Sequence, residues 1–175
     1  LTLAGAAVKE YEKLGNRVSK TNAEHYAYYS PFYYGGRVSC FESGVFDGPQ
    51  YIYDINSAYP TLMMGQHPTG TKTFESTRLL DRHLNRAFVV VQCYSYGAFP
   101  IRRENGAVDF PHEFNTFYVT GREFKTAKAT GTIKGERVIN SIVFRNTISF
   151  EDYVNAFYEQ KQRCEREGDH VGREM

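Results

Sequence analysis

The sequence predicts an α+β fold, because helical and strand patterns follow one another in the order helix, strands, helix, strands, helix, strand, helix. A nearly unbroken apolar run over residues 87–94 is typical of a strand that is covered on both faces. A Thr-x-x-Glu capping box over 120–123 predicts the start of a helix. With 175 residues, of which 41% are hydrophobic and 23% charged, the chain suits one ordered domain with a sizeable insertion.

The elements follow from two periodicities and from the residues that end them. Helices place apolar residues on one stripe and strands alternate them, while Gly, Pro, Asp and Asn mark turns. The first half is predicted to contain a helix over 3–14 with Thr2 as N-cap and Gly15 as its stop, an aromatic stretch over 26–34, strands over 37–46 and 51–56, and a helix over 61–65 that 67–70 ends. The second half is predicted to contain the strand 87–94, a hairpin with a type I′ turn at Asn105-Gly106, a helix that Gly131 closes, a strand over 133–144 and a helix that Ser149 caps.

Composition and charge exclude several classes of protein. A net charge of +1 provides no general basic field, so any nucleic-acid contact must be local. Three cysteines without a CxxC pair indicate neither a zinc site nor a disulfide framework, and the five histidines lack ligand spacing. Because no run is apolar enough for a membrane span and no signal peptide is recognisable, we expect an intracellular, cytoplasmic protein without a membrane partner.

The most informative segment is 54–60, Asp-Ile-Asn-Ser-Ala-Tyr-Pro, which follows the apolar run 51–53 directly. It places one carboxylate beside a tight backbone corner whose N–H groups point outward. Such a corner can hold a divalent cation and a polyphosphate together. Taken by itself, Asp54 is also explained as a turn carboxylate that caps the next helix.

This segment resembles motif A of the family B DNA polymerases, Asp-x-x-Ser-x-Tyr-Pro. The segments 2–5, 33–36 (Tyr-Tyr-Gly-Gly) and 99–123 occur in the order found in the protein-primed branch of that family, the bacteriophage and linear-plasmid type. The resemblance implies a palm-like antiparallel or mixed sheet flanked by helices, with an inserted small α/β subdomain. It implies the division into an N-terminal helix and linker (1–34), palm strands with motif A (35–69), an insertion with returning palm strands (70–148) and a C-terminal helix (149–175).

The resemblance also implies roles for the residues of motif A. Asp54 would be a catalytic, metal-binding aspartate, and the carbonyl of Ile55 would add a second ligand for Mg²⁺ or Mn²⁺. The N–H groups of Ser57, Ala58 and Tyr59 would cradle the triphosphate of a dNTP, and the Tyr59 ring would lie under the sugar. Position 58 departs from the family, in which Leu is common, so the packing behind the corner is expected to differ.

A second set of implied contacts concerns DNA. Tyr33, Gly35 and Gly36 would grip the template backbone, because glycines permit a close approach, and Arg37 would contact a phosphate. An ordinary Gly-Gly turn followed by a solvated arginine is the alternative. The implied partners are a DNA template-primer and a priming terminal protein that contacts the insertion. Further candidate phosphate contacts, most of them expected to be merely solvated, are Arg102, Arg103, Arg122, Lys125, Lys128 and Lys134.

Two motifs of the family do not occur in these residues: the Tyr-x-Asp-Thr-Asp-Ser motif with the second metal aspartate, and the lysine helix Lys-x-x-x-Asn-Ser-x-Tyr-Gly. We therefore expect a segment of a longer polymerase, and we expect these 175 residues not to polymerise by themselves. Two alternatives stay open. One is a non-catalytic module that binds DNA or a priming protein. The other is an unrelated metal-dependent phosphohydrolase that combines Asp54 with Asp109 or Glu113.

Overall fold

The computed structural model describes residues 3–18, 22–40, 42–75 and 77–168, and it confirms the α+β class. Its helices are α1 (Leu3–Lys13), α2 (Ala23–Tyr29), α3 (Ala58–Met63), α4 (Gly121–Thr130) and α5 (Glu151–Glu167), with short 3₁₀ helices at Ser30–Phe32 and Asp81–Arg86. Its strands are β1 (His67–Glu75), β2 (Ala87–Tyr96), β3 (Ile101–Arg102), β4 (Val108–Asp109), β5 (His112–Thr120) and β6 (Ile133–Ile148). The predicted N-cap Thr2 lies outside the described residues.

The main sheet has four strands in the order β1-β6-β2-β5. Strand β2 is central and pairs antiparallel with both β5 and β6; Tyr94, for example, lies opposite Phe114 on one side and Lys134 on the other. The register between β2 and β6 shifts between Gln92 and Tyr94, where β6 contains one extra residue next to Gly135, at φ 64°. Such a bulge increases the local twist and re-aims side chains.

The chain divides into two compact units. One comprises the described residues within Ala27–Asn56 and Pro68–Thr147, and it contains the sheet. On one face of β2 every second side chain is buried, and these pack with β5 and α4. The fully buried members include Val89, Val91, Cys93, Phe117 and Val119. The predicted cover on both faces of β2 is only partly found, since the alternate positions are half-buried or, at Tyr96, exposed.

The other unit comprises the described residues within Leu1–Tyr26, Ser57–His67 and Ile148–Met175. The Tyr11 ring lies 5.6 Å from the rings of both Phe150 and Tyr153, and Val154 is buried. The prediction that Ser149 caps the last helix is wrong, because the N-cap of α5 is Phe150 and no side chain caps it. The Ser149 hydroxyl, one residue earlier, accepts a hydrogen bond from the Glu151 N–H at 3.1 Å.

The predicted capping box is confirmed. The Thr120 hydroxyl accepts from the Glu123 N–H at 3.3 Å, and the Glu123 carboxylate accepts from the Thr120 N–H at 2.7 Å. Helix α4 then ends at Gly131 in the left-handed conformation, φ 67°, as predicted. Its first residue, Gly121, is buried against the 3₁₀ helix at Asp81–Arg86, whose Leu84 carbonyl oxygen would lie 2.1 Å from a Cβ at that position.

The hairpin of β3 and β4 is confirmed, but its predicted type I′ turn is wrong. That turn requires a positive φ at both central residues, whereas here only Gly106 has one (84°) and Asn105 does not. The Gly106 N–H donates to the Arg103 carbonyl at 2.8 Å, and the Arg103 N–H donates to the Ala107 carbonyl at 2.8 Å. The connection is therefore a three-residue loop in which the glycine forms a bulge.

The strands predicted over 37–46 and 51–56 are wrong. None of the described residues from 33 to 56 lies in a strand. The described apolar side chains of the two predicted strands are exposed, from 51% for Phe46 to 98% for Ile52. No strand among the described residues pairs with these segments, and a single strand cannot satisfy its own backbone.

Two other boundaries also differ from the prediction. The helix predicted over 61–65 begins earlier, at Ala58, since Pro60 is tolerated within the first turn. The segment 67–70 opens strand β1 instead of serving only as a stop. Within the described residues, every helix is too short or too polar to cross a bilayer.

Candidate nucleotide and DNA contacts

Asp54 lies in the exposed run that leads into α3. All residues from 51 to 56 are exposed, with 77% of the Ile55 surface accessible. The rings of Tyr51 and Tyr53 stack with their centroids 6.4 Å apart, so these two side chains lie together. Asp54 and Ile55 are therefore both accessible from solvent.

The backbone turns sharply at Ser57. This is the single residue other than glycine with a positive φ in the described part of the chain, φ 54° and ψ 37°. Left-handed geometry at a residue with a Cβ costs free energy, on the order of 1 kcal/mol. The Ser57 carbonyl accepts the Thr61 N–H at 2.9 Å, so the corner continues into α3 without an intervening loop.

The first turn of helix α3 is partly exposed. Tyr59 is 77% exposed, whereas Ala58 and Pro60 are half-buried. The first N–H groups of a helix have no acceptor within it, so those of Ala58 and Tyr59 are directed away from the helix body. The other end of α3 is fixed, because the Met63 carbonyl accepts the Phe150 N–H at 3.1 Å.

The donors at Asp54 and Ile55 do not by themselves fit a magnesium or manganese ion. Such an ion is held by several converging oxygens, usually from more than one carboxylate. Among the described residues, no group of three or more His, Cys, Asp or Glu side chains could hold a metal. Asp109 and Glu113, which the hydrolase alternative combined with Asp54, are both engaged by the Arg103 guanidinium, at 2.7 Å and 3.5 Å.

The Tyr33-x-Gly35-Gly36 segment is attached to the sheet unit at both ends. The Arg102 guanidinium donates to the Tyr33 carbonyl at 3.1 Å and lies 5.5 Å from the centre of the Tyr34 ring. Burial raises the pKa of the Tyr34 hydroxyl, and the nearby Arg102 charge acts in the opposite direction. The glycines between these anchors are exposed, and a Cβ at either would meet nothing within 4 Å. This backbone is open to a ligand.

Arg37 provides the second anchor. Its Nη1 donates to the Gly97 carbonyl at 3.0 Å, its Nε donates to the Ser39 hydroxyl at 2.8 Å, and the guanidinium lies 4.9 Å from the centre of the Phe110 ring. An arginine held by these contacts orients the chain on which it sits. The structure thus gives Arg37 a packing role that the sequence pattern did not indicate.

Several other candidate phosphate contacts also have partners within the chain. Arg103 pairs with Asp109, and Lys128 pairs with Glu136 at 3.2 Å. A backbone hydrogen bond and, to a smaller extent, Lys128 hold the Glu136 pKa below its usual value. The sequence did not reveal that Arg102 contacts Tyr33 and Tyr34. Its only signal was the adjacent basic pair at 102–103, which does not show which arginine turns toward Tyr33.

The chain is similar in sequence to known DNA polymerases. The family described as "DNA polymerase type B, organellar and viral" matches residues 1–175. The DNA-directed DNA polymerase of Enterobacteria phage PRD1 is 31% identical over 140 residues, which are 79% of this chain and 25% of that protein. The chain thus spans about a quarter of the length of that relative.

One solved structure shares the fold of this chain over 63% of its length. Phi29 DNA polymerase in an orthorhombic crystal form matches 63% of this chain and 22% of its own, with a TM-score of 0.50 and 17% identity. The binary complex of phi29 DNA polymerase with primer-template DNA matches with a TM-score of 0.48 and 18% identity, over 63% of this chain and 21% of its own. The predicted resemblance to the bacteriophage-type family B polymerases is confirmed. The chain belongs to the organellar and viral type B DNA polymerases.

Proposed function

We propose that this chain is the part of a DNA-directed DNA polymerase that contributes one catalytic aspartate, the triphosphate corner and a template-DNA contact. The observation that carries the proposal is the corner at Ser57. Ser57 has a left-handed backbone and opens α3, and the exposed Asp54 precedes it by three residues in the sequence. A backbone corner of this kind is suited to a polyphosphate.

Each residue of the corner has a distinct role in the proposal. Asp54 and the Ile55 carbonyl contribute oxygens to the divalent-metal site, which further carboxylates of the parent polymerase complete. Polymerases of this kind use Mg²⁺ or Mn²⁺, and the metal supplies charge neutralisation at the phosphates. The N–H groups of Ser57, Ala58 and Tyr59 hold the triphosphate. The exposed Tyr59 ring packs against the sugar and selects deoxynucleotides.

The DNA contact is formed by Tyr33, Gly35, Gly36 and Arg37. The absence of side chains at the two glycines lets a phosphate approach the backbone closely. Arg37 and Arg102 hold the segment in place by the hydrogen bonds described above. The proposed partners are a template-primer, a dNTP and, through residues 70–148, a terminal protein that primes replication. The division of the chain into the segments 1–34, 35–69, 70–148 and 149–175 is part of the same proposal. An intracellular, cytoplasmic site of action follows from it.

Primer extension by the parent polymerase tests the proposal. We expect Asp54→Ala to abolish extension, because one of the two metal-binding carboxylates is lost. The matched control is Asp47→Ala, an exposed carboxylate in the same run of chain, which is expected to extend normally. If Asp54→Ala extends primers normally while circular dichroism shows an intact fold, Asp54 is not catalytic and the chain is a binding module. We also expect the isolated 175 residues to incorporate no nucleotide with Mg²⁺ or Mn²⁺.

A further inference from the structure

One face of the four-stranded sheet is covered at one end and open at the other. At the covered end, Phe32 stacks on Phe88 at 4.9 Å and meets Tyr118 edge-on at 5.4 Å. Tyr29 packs against Phe88 and Phe144 at 6.0 Å and 5.9 Å. These aromatic contacts stop at about the middle of β2. The remainder of this face, which we call the open half-face, consists of Gln92, Tyr94, Tyr96, His112, Phe114, Thr116, Lys134 and Arg137.

The open half-face is rich in aromatic rings. Phe114 is 58% exposed and Tyr96 is 41% exposed, although both lie in regular, well-paired strands. The rings of Tyr94 and Tyr96 lie 4.8 Å apart, and the Tyr94 hydroxyl donates to the His112 carbonyl at 3.0 Å. Exposed rings held in position on a sheet are suited to stacking with bases, since every base has a π-face.

The charge of the open half-face is positive. Lys134 lies opposite Tyr94, and its ammonium group is 5.5 Å from the centre of the Tyr96 ring. Arg137 lies opposite Gln92 on the same face and is exposed. The bulge at Gly135 lets these two cations share the face although three positions separate them. None of the eight residues of the open half-face is acidic, in strands that are described without gaps. The surface is therefore complementary to a negatively charged partner.

The proposed DNA-contact segment borders this surface. It begins next to Phe32, which touches Tyr118 on this same face. It ends at Arg37, which binds the carbonyl of Gly97, the residue after Tyr96. A DNA strand that passes the exposed backbone at Gly35 and Gly36 would thus meet rings and cations within the same compact unit.

We propose that the open half-face binds single-stranded DNA, with bases stacked on Phe114 and Tyr96 and phosphates near Lys134 and Arg137. This deepens the proposed polymerase function by adding a second surface for an unpaired strand. Rings interleaved with cations favour a single strand over a duplex, because the bases of a duplex are already stacked on one another.

The test is fluorescence anisotropy of a labelled oligothymidylate of about 12 nucleotides with the 175-residue chain at several salt concentrations. We expect Phe114→Leu and Tyr96→Leu each to weaken binding about ten-fold, since a base–ring stack is lost. The conservative variant Phe114→Tyr keeps a ring and is expected to bind more tightly than Phe114→Leu. Lys134→Gln should reduce the slope of log K against log salt by about 0.7, which corresponds to one phosphate contact on a single strand.

Wild-type affinity in Phe114→Leu and Tyr96→Leu, or no binding by the wild-type chain, would overturn this proposal. Thermal unfolding shows whether the variants remain folded, and Lys134→Gln, at an exposed position, keeps the test valid if a ring variant unfolds. The results of this test and of the primer-extension test are independent of each other. If Asp54→Ala abolishes extension while Phe114→Leu binds normally, only the open half-face is excluded. If Asp54→Ala extends normally while Phe114→Leu loses binding, only the catalytic assignment is excluded.

Discussion

The Arg102 guanidinium donates from Nη2 to the Tyr33 carbonyl oxygen at 3.1 Å, across 69 residues of sequence. The same guanidinium lies over the Tyr34 ring, so two neighbouring residues of the candidate DNA-binding segment are held by one side chain of strand β3. Because the hairpin of β3 and β4 is itself closed by backbone hydrogen bonds, the anchor is attached to ordered structure. The conformation of 33–36 thus depends on a residue far from it in sequence.

The first prediction concerns this anchor. We expect Arg102→Ala to release the segment around Tyr33, because both the hydrogen bond and the ring contact disappear. Limited proteolysis should then cut at 33–40 at least several-fold faster, and oligothymidylate binding should weaken. Arg103→Ala is the matched control, since its guanidinium pairs with Asp109 and Glu113 in the hairpin and does not contact 33–36 in the described contacts. Equal cleavage rates in the two variants would contradict the anchoring role.

The second prediction concerns Gly121. A Cβ at this position would lie 2.1 Å from the Leu84 carbonyl oxygen, so Gly121→Ala must displace either α4 or the 3₁₀ helix. We expect the free energy of unfolding to fall by about 1–3 kcal/mol, the range typical of overpacking. Chemical denaturation measures it. The control is Gly36→Ala, where a Cβ meets nothing within 4 Å, and unchanged stability in both variants would show that α4 moves freely.

The third prediction concerns the capping box of α4. Thr120→Ala removes the hydroxyl that accepts from the Glu123 N–H and is expected to lower the free energy of unfolding by about 1 kcal/mol. Thr126→Ala, at an exposed position within the same helix, is expected to be neutral or slightly stabilising because Ala has the higher helix propensity. Thermal unfolding of the pair separates the loss of a cap from the loss of a threonine. Equal melting temperatures would mean that the box contributes nothing measurable.

The fourth prediction concerns the three thiols. Cys40 is exposed, whereas Cys93 and Cys164 are buried. Burial raises the pKa of the Cys93 thiol to about 11. The thiolate is the reactive form, so a disulfide reagent at pH 8 should modify Cys40 rapidly and the other two only as the protein opens. The native burial of Cys93 withholds both the thiolate and access, so its modification should follow the opening rate of the sheet unit. Cys40→Ser is expected to remove the fast phase, and a fast phase that survives this substitution would contradict the assignment.

Local sequence patterns predicted the elements whose hydrogen-bond partners lie within a few residues of one another. The Thr120–Glu123 box and the Gly131 stop are formed by side chains and backbone of the same helix, so their residue types are sufficient to recognise them. The β2 run 87–94 was recognised because its length and continuity are those of a buried strand. The motif at 54–60 identified the family, since a carboxylate, a tight corner and a helix start are encoded within seven residues.

The prediction failed where a segment depends on partners elsewhere. Residues 37–46 and 51–56 have the composition of strands, yet none of their described residues pairs, because a strand needs a neighbour to satisfy its backbone. The turn at Asn105-Gly106 took a bulged form that the dipeptide alone does not distinguish from type I′.

The sequence by itself determined the family, the α+β class and the motif residues, because each is encoded by residues close together in the chain. Only the tertiary structure decided that Arg102 and Arg37 hold the Tyr33–Gly36 segment, and that Phe114, Tyr96 and Lys134 share one open face. Those relationships join strands far apart in sequence, and the pairing register together with the bulge at Gly135 sets them. A hydrogen bond across 69 residues leaves no local pattern at either of its ends.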